Sequence, residues 1–381
     1  MKPSSSEFSR RVRAVSPSRT TQVFELAEKL RRQGRDIISL AVGEPDFDTP
    51  LPVIEATRKA LADQATRYGP VAGILPLRER LASEFKGYGP ESILIANGAK
   101  QALYALFQVL VQPGDEVIIP RPCWVSFTEQ IKLAGAEPVL VDTVKDQLDP
   151  LRIERAIGPD TRAILINSPN NPTGAVFDVE TLAEVARIAA RHRLYLISDE
   201  AYHAFVYDGR RHTRLIDIAE DPTRVITVRS FSKHYNMTGY RLGYVAAHRD
   251  VIAALNRLQG HMCGNVCSFA QHGALAALEM DQHIVETRRA ELEQRRDLTL
   301  DLVSSHFSCN RPAGAFYVFV DVSDVLKPGE TDADLCVRLL NQAGVALVPG
   351  EAFFGPGHVR ISFGAPAEDL QRGFKKIFEA L

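Results

Sequence analysis

Between residues 92 and 247 short apolar, β-branched runs alternate with stretches in which apolar positions recur every three or four residues. The pattern predicts strands at 92–95, 117–119, 137–141, 163–166, 194–197, 225–228 and 243–247, with helices over 100–111 and 178–192. Leu103, Leu106, Phe107 and Leu110 form the apolar face of the first of those helices. Such alternation predicts an α/β fold, a large domain with a mostly parallel sheet flanked by helices. Upstream, 4–13 reads as a loose arm and 37–42 as a short strand. Helices are predicted through Val23, Leu26, Ala27 and Leu30, over 52–63 and over 75–85. After residue 250 the pattern changes to a long helical stretch over 268–305, strands at 314–320, 345–350 and 359–363, and helices over 332–343 and 367–380. These parts predict a smaller α+β domain built from both chain ends. The expected division is an arm with part of the small domain over 1–48, a large domain over 49–275 and a small domain over 276–381.

A chain of 381 residues can bury a sizeable core, and 45% hydrophobic with 24% charged residues is ordinary for a globular protein. The formal net charge of -2 gives no argument for nucleic acid or membrane binding. No run approaches the eighteen or more apolar residues of a membrane span. Met1 to Arg13 lacks the apolar segment of a secretory signal. Cys123, Cys263, Cys267, Cys309 and Cys336 are odd in number and mostly scattered, which suits reduced thiols and a cytoplasmic location. His261, Cys263, Cys267 and His272 do not have the spacing of a usual zinc knuckle.

Candidate chemistry collects where strands end. Ser230, Ser232, Lys233 and Arg241 crowd the turn after 225–228. A lysine there is either an exposed polar side chain or a Schiff-base nucleophile whose pKa burial and neighbouring cations lower. Gly98, Ala99 and Lys100 open a helix whose N–H groups suit a phosphate, as many strand–helix turns do. Trp124, the only tryptophan, is core packing or a platform for a flat ring. Asn171 sits in Asn167-Ser168-Pro169-Asn170-Asn171-Pro172-Thr173-Gly174, whose prolines fix the direction of its amides. Asp199 is a helix cap or a buried acid with a task. Gly43 lies in a turn where backbone can approach a ligand. Arg360, on a half-buried strand, needs an anionic partner, from the protein or from a substrate. In open α/β sheets ligands bind outside the carboxyl ends of the strands, and Gly98, Trp124, Asn171, Asp199 and Lys233 all fall there.

Seven motifs then carry a resemblance. They are V-G-E-P-D-F-D-T-P, Y-G-P-x-A-G-I, N-G-A-K-Q-A-L, N-S-P-N-N-P-T-G, S-D-E-A-Y, S-F-S-K-x-Y-N-M-T-G-Y-R-L-G-Y and V-R-I-S-F. From about residue 10 to the C-terminus the chain resembles the class I pyridoxal-phosphate aminotransferases of fold type I, most of all the bacterial aspartate aminotransferase subgroup. The resemblance implies pyridoxal 5'-phosphate attached through Lys233, which later moves the substrate's Cα proton. It implies Asp199 at the pyridine nitrogen, Asn171 and Tyr202 at the ring oxygen, and Trp124 stacked on the ring. Gly98, Ala99, Lys100, Ser230, Ser232 and Arg241 would hold the phosphate. Tyr68 would reach the phosphate in a partner subunit, making a homodimer with active sites shared across the interface. Arg360 would clamp the α-carboxylate beside Gly43 and Asn171, and Lys100 with Ser18 and Thr20 would recognise a second carboxylate.

That set favours aspartate, with glutamate and 2-oxoglutarate as the partner pair. The segment 260–268 departs from the subgroup's S-T-S-N-P-T-S-like stretch and retains only Asn265 and Ser268. An aminotransferase for aromatic or other neutral amino acids therefore stays open, as does a β-elimination lyase on the same cofactor. A regulator would need a DNA-binding module, for which the roughly ten residues ahead of the first matching segment are expected to leave no room.

Overall fold

In the computed structural model, which describes residues 8–16 and 19–381 without the side chains of 19–22 and 24, seven strands form the central sheet. Their order is Ile93–Ala96, Gly243–Ala246, Val225–Ser230, Tyr195–Asp199, Thr161–Asn167, Glu116–Arg121 and Glu137–Asp142. Gly243–Ala246 is antiparallel to both neighbours, and every other pairing is parallel. The sheet is therefore mostly parallel, as the apolar runs predict. Ile93–Ala96, Val225–Ser230 and Gly243–Ala246 are buried at every position, because helices cover both faces. Alternate residues serve opposite faces: Leu94 packs with Leu103 and Phe107, whereas Ile93 and Ile95 pack with Leu77 and Leu81.

The antiparallel insertion leaves Ile93–Ala96 and Val225–Ser230 pointing the same way. Their carboxyl ends, with those of the four other strands of that direction, open on one edge. That edge carries Gly98, Trp124, Asn171, Asp199 and Lys233. A second, antiparallel sheet has the order Val348–Pro349, His358–Ser362, Tyr317–Asp321, Ser308–Cys309. Ile38–Ser39 pairs in parallel with Val345–Ala346, tying the early chain to the late chain. Leu40, Phe316, Leu370 and Phe374 bury a common core beside it, joined by Phe205 and Tyr207 from the larger part. No helix among the described residues is long and apolar enough to cross a membrane.

Several boundaries differ from expectation. Within the loose arm, Arg10–Arg13 forms a helical turn capped by Ser9, whose Oγ accepts from Val12 N at 3.4 Å. The strand expected over 37–42 pairs only at Ile38–Ser39. The run 345–350 is two short strands with different partners. The helix expected over 268–305 is two, Ser268–Glu279 and His283–Val303. Gln282 Nε2 donates to the carbonyls of Ala277 (3.0 Å) and Met280 (2.8 Å) and so ends the first helix. Val125–Ala134 and Arg249–Met262 lack a predicted counterpart, as do the shorter helices Pro150–Arg155 and Leu215–Ile218.

Candidate active site

Lys233 is aimed by the turn that follows Val225–Ser230. Ser232 N donates to Ser230 Oγ at 3.0 Å, folding the chain back, and Lys233 Nζ donates to the Gly43 carbonyl at 2.6 Å. Burial lowers the Lys233 ammonium to about 8. Glu44 opposes the shift, while Arg241, Arg360 and Lys100 add to it. Lys233 is half-buried and borders the cavity instead of projecting from an exposed loop.

Asp199 ends its strand 3% exposed, and its carboxylate accepts from Ala201 N at 3.1 Å. Burial pushes its pKa up to about 7; the Ala201 N–H opposes and neighbouring Glu200 reinforces the rise. Glu200 has a different fate although it too is fully buried. It accepts from Arg229 Nε (2.9 Å) and from Ser198 Oγ (2.9 Å). Burial alone would raise Glu200, yet Arg229 and His212 outweigh it and hold the acid near about 2. Of two adjacent carboxyls, Asp199 is the one that a cation placed beside it would recharge.

The loop 167–174 is fastened to the same strand. Asn167 Nδ2 donates to the Asp199 carbonyl (3.1 Å), and Asn167 Oδ1 accepts from Asn171 N (2.9 Å). Gly174, at φ +69, leaves no room for a Cβ, which would lie 2.4 Å from Pro312 Cβ. Held this way, Asn171 Oδ1 accepts from Arg360 Nη1 at 3.0 Å. Arg360 Nη2 donates to the Ala41 carbonyl at 2.8 Å, and its Nε is buried with no hydrogen-bond partner among the described residues. A buried N–H of that kind calls for an acceptor. The Tyr202 hydroxyl lies 3.1 Å from that of Tyr317.

At the opposite end, the helix Ala99–Leu110 begins at Gly98 with φ +80 and no side-chain cap, so its first N–H groups stay open. A Cβ on Gly98 would sit 2.6 Å from Arg241 Nη2, and one on Gly243 would sit 2.6 Å from Ala99 N. Arg241 itself takes a left-handed conformation, φ 55, and its Nη1 donates to the Thr238 carbonyl at 2.8 Å. Trp124 precedes Val125–Ala134 and packs edge-on against Phe127 at 5.3 Å. Lys100 Nζ lies 4.8 Å from the Trp124 ring. Burial lowers the Lys100 pKa, and Arg241 adds to the effect.

Lys233, Ser230, Ser232, Asp199, Asn171, Tyr202, Arg360, Trp124, Lys100 and Arg241 border one cavity of about 430 Å³ together with Gly43 and Ala99, while Gly98 stands behind Arg241 and Glu200 and Arg229 lie outside the lining. The volume is that of a small-molecule site. Tyr68 is apart from it and 100% exposed. Ser18 lies outside the described residues; Thr20 falls in the helix Arg19–Arg32, and its side chain lies outside them too. Sequence reasoning overlooks Tyr317, Glu44, Asn167 and Phe127, which also line the cavity. Asn167 and Glu44 stand inside quoted motifs, so a signal exists for them. For Tyr317 the signal is only an alternating strand.

Residues 35–377 match the family model described as aminotransferase class I and II. The aspartate/prephenate aminotransferase of Thermus thermophilus is 43% identical, over 98% of this chain and 98% of that protein. The aspartate aminotransferase of Geobacillus stearothermophilus is 36% identical, over 97% and 98%. Among solved structures, the Thermus thermophilus aspartate aminotransferase with maleate superposes with a TM-score of 0.94 at 42% identity, covering 98% of this chain and 99% of that one. The Thermotoga maritima aspartate aminotransferase gives 0.91 at 36%, covering 98% and 99%.

Proposed function

Because this chain belongs to the class I and II aminotransferases, and is thereby a pyridoxal-phosphate-dependent transaminase, we propose that it converts L-aspartate and 2-oxoglutarate to oxaloacetate and L-glutamate in a ping-pong cycle. One observation carries the choice of substrate. Two cations, Arg360 and Lys100, border the same cavity as Lys233 and Asp199, which suits a substrate with two carboxylates. The name of the Thermus relative adds prephenate, a 2-oxo acid that also bears a second carboxylate.

The residues fit the cofactor. Gly98 and Gly243 keep the space beside Arg241 and Ala99 N clear, and a neighbouring pyridinium suits the high proton affinity of Asp199. When bound, pyridoxal phosphate supplies a carbonyl carbon for the amino group and a ring that takes up the electron pair left at Cα. The open N–H groups at Ala99 and Lys100 bind its phosphate, with Ser230, Ser232 and Arg241 alongside. Trp124 covers the ring face. Tyr202 and Asn171 donate to the ring oxygen, and Asp199 holds a proton on the ring nitrogen. Arg360 takes the α-carboxylate, its bonds to Asn171 and the Ala41 carbonyl keeping the guanidinium in one orientation. Lys233, whose amine gives up its proton near pH 8, would be the base that takes the proton from the substrate's Cα.

The same proposal makes the protein a cytoplasmic homodimer. Ser268 Oγ donates to the Arg67 carbonyl at 3.2 Å and lies 3.4 Å from Asn265 Nδ2, so 265–268 and exposed Tyr68 are neighbours that do not line their own cavity. A partner's site is what Tyr68 can serve. The division at 1–48, 49–275 and 276–381 belongs here as well, supported by the pairing of Ile38–Ser39 with Val345–Ala346.

Lys100→Ala tests the substrate choice. Loss of a charge-assisted contact should raise KM for aspartate and glutamate about 10- to 100-fold, with KM for neutral amino acids changed less than about threefold. Equal losses for both classes, or a parent enzyme that prefers aromatic amino acids, would refute it.

A further inference from the structure

We propose that Tyr317 is a positioning residue for the transamination, one that aims the hydroxyl proton of Tyr202 and sets the plane of Arg360. The inference rests on the reading above, in which Tyr202 serves the ring oxygen and Arg360 the substrate carboxylate. Strand register explains why one residue reaches both. Tyr317 pairs with Ser362 and Phe319 with Arg360 across antiparallel strands, so Tyr317 and Arg360 are diagonal neighbours on one face. The Tyr317 side chain is 1% exposed yet borders the cavity.

Its ring lies 4.3 Å from the Arg360 guanidinium carbon, closer than the Phe353 ring at 5.0 Å. A guanidinium stacked on an aromatic face is restrained in tilt. Together with the bonds to Asn171 and Ala41, that contact leaves Nε pointing one way.

The hydroxyls of Tyr317 and Tyr202 are 3.1 Å apart, and either can donate. Burial raises the pKa of both phenols, so the pair holds two protons and shares one hydrogen bond. One proton is left over. With Tyr317 as donor, the spare proton is that of Tyr202, and accepting a hydrogen bond strengthens Tyr202 as a donor in turn. An anionic oxygen in the cavity favours that arrangement. The Tyr317 hydroxyl also abuts Gly43, where a Cβ would lie 3.5 Å from it, and the Gly43 carbonyl accepts from Lys233. Tyr317 thus touches the supports of clamp, ring oxygen and lysine at once.

The test uses holoenzyme of four variants: Tyr317→Phe, Tyr202→Phe, the double substitution, and Tyr317→Leu. Measured are kcat, KM for aspartate, and the pH midpoint of the bound cofactor's absorption, after melting curves establish folding. Tyr317→Phe keeps the ring under Arg360, so KM should change less than about threefold while kcat falls about tenfold. The absorption midpoint should rise, because a weaker Tyr202 donor leaves the ring oxygen's negative charge less stabilised. The double variant should be no worse than Tyr202→Phe alone. Tyr317→Leu loses the ring too and should raise KM several-fold in addition. Should only one of the Tyr317 variants fold, its half of the pattern still decides. Additive losses in the double variant overturn the proposal. So does a parental midpoint in Tyr317→Phe when Tyr202→Phe shifts it. A parental midpoint in Tyr202→Phe removes the placement of Tyr202 itself, and the proposal with it.

Discussion

Lys233 stands half-buried in the cavity beside three cations, Arg241, Arg360 and Lys100, and an ammonium is disfavoured there. The sign follows directly. Burial and like charge favour the neutral amine, Glu44 favours the ammonium, and the balance lies near about 8 instead of 10.5. In the apoprotein, trapping of an aldehyde on Lys233 should therefore accelerate about tenfold per pH unit below that value and level off above it. Glu44→Gln should move the midpoint down. A midpoint near 10.5 would show that the pocket does not act on the amine. None of this is readable from Ser-Phe-Ser-Lys alone, because the cations that matter come from distant positions. The contrast between Asp199 and Glu200 is equally hidden. Neighbours in sequence, they part only because Arg229 and His212 meet one of them.

At the level of elements, the turn at Gly98 is the most exposed to test. Its φ of +80 strains any side chain, and a Cβ 2.6 Å from Arg241 Nη2 would push that guanidinium aside. Gly98→Ala should cost more than about 1 kcal/mol of stability and loosen the cofactor, read as a lower melting temperature and a higher Kd for pyridoxal phosphate. A variant with parental Kd would separate the phosphate from this helix. The strands that set this edge are legible because a sheet buried on both faces writes itself as unbroken apolar runs. Helices with polar anchors are harder to see. In Val125–Ala134 the buried Thr128 and Gln130 blur the apolar face. In Arg249–Met262 buried Gln259 does the same, its Nε2 donating to Val71 and Ile95 carbonyls at 2.8 and 2.9 Å. The break before His283 has no glycine or proline to mark it; the Gln282 side chain closes one helix, and Asp281, whose carboxylate accepts from His283 N at 2.9 Å, opens the next. The site was legible where motifs quote it. Tyr317 was not, since its meaning comes from cross-strand register with Ser362 and from Tyr202, in the turn after a strand of the other sheet.

Across the molecule, the lysine and the carboxylate clamp come from different sheets. Lys233 follows a strand of the large sheet, and Arg360 lies on the second sheet. Ala41 and Gly43, in the segment after Ile38–Ser39, bond to both of them, accepting from Arg360 Nη2 and Lys233 Nζ. Activity is thus a property of how two cores are joined as much as of either. The most direct measurement is a half-reaction: holoenzyme mixed with L-aspartate alone, followed by absorption, with Lys233→Ala alongside. Conversion of the cofactor to its aminated form, with one oxaloacetate released per site, and cofactor bound without conversion in Lys233→Ala, is the predicted result. Conversion only with aromatic amino acids, or pyruvate and ammonia released from β-substituted ones in its place, would contradict it.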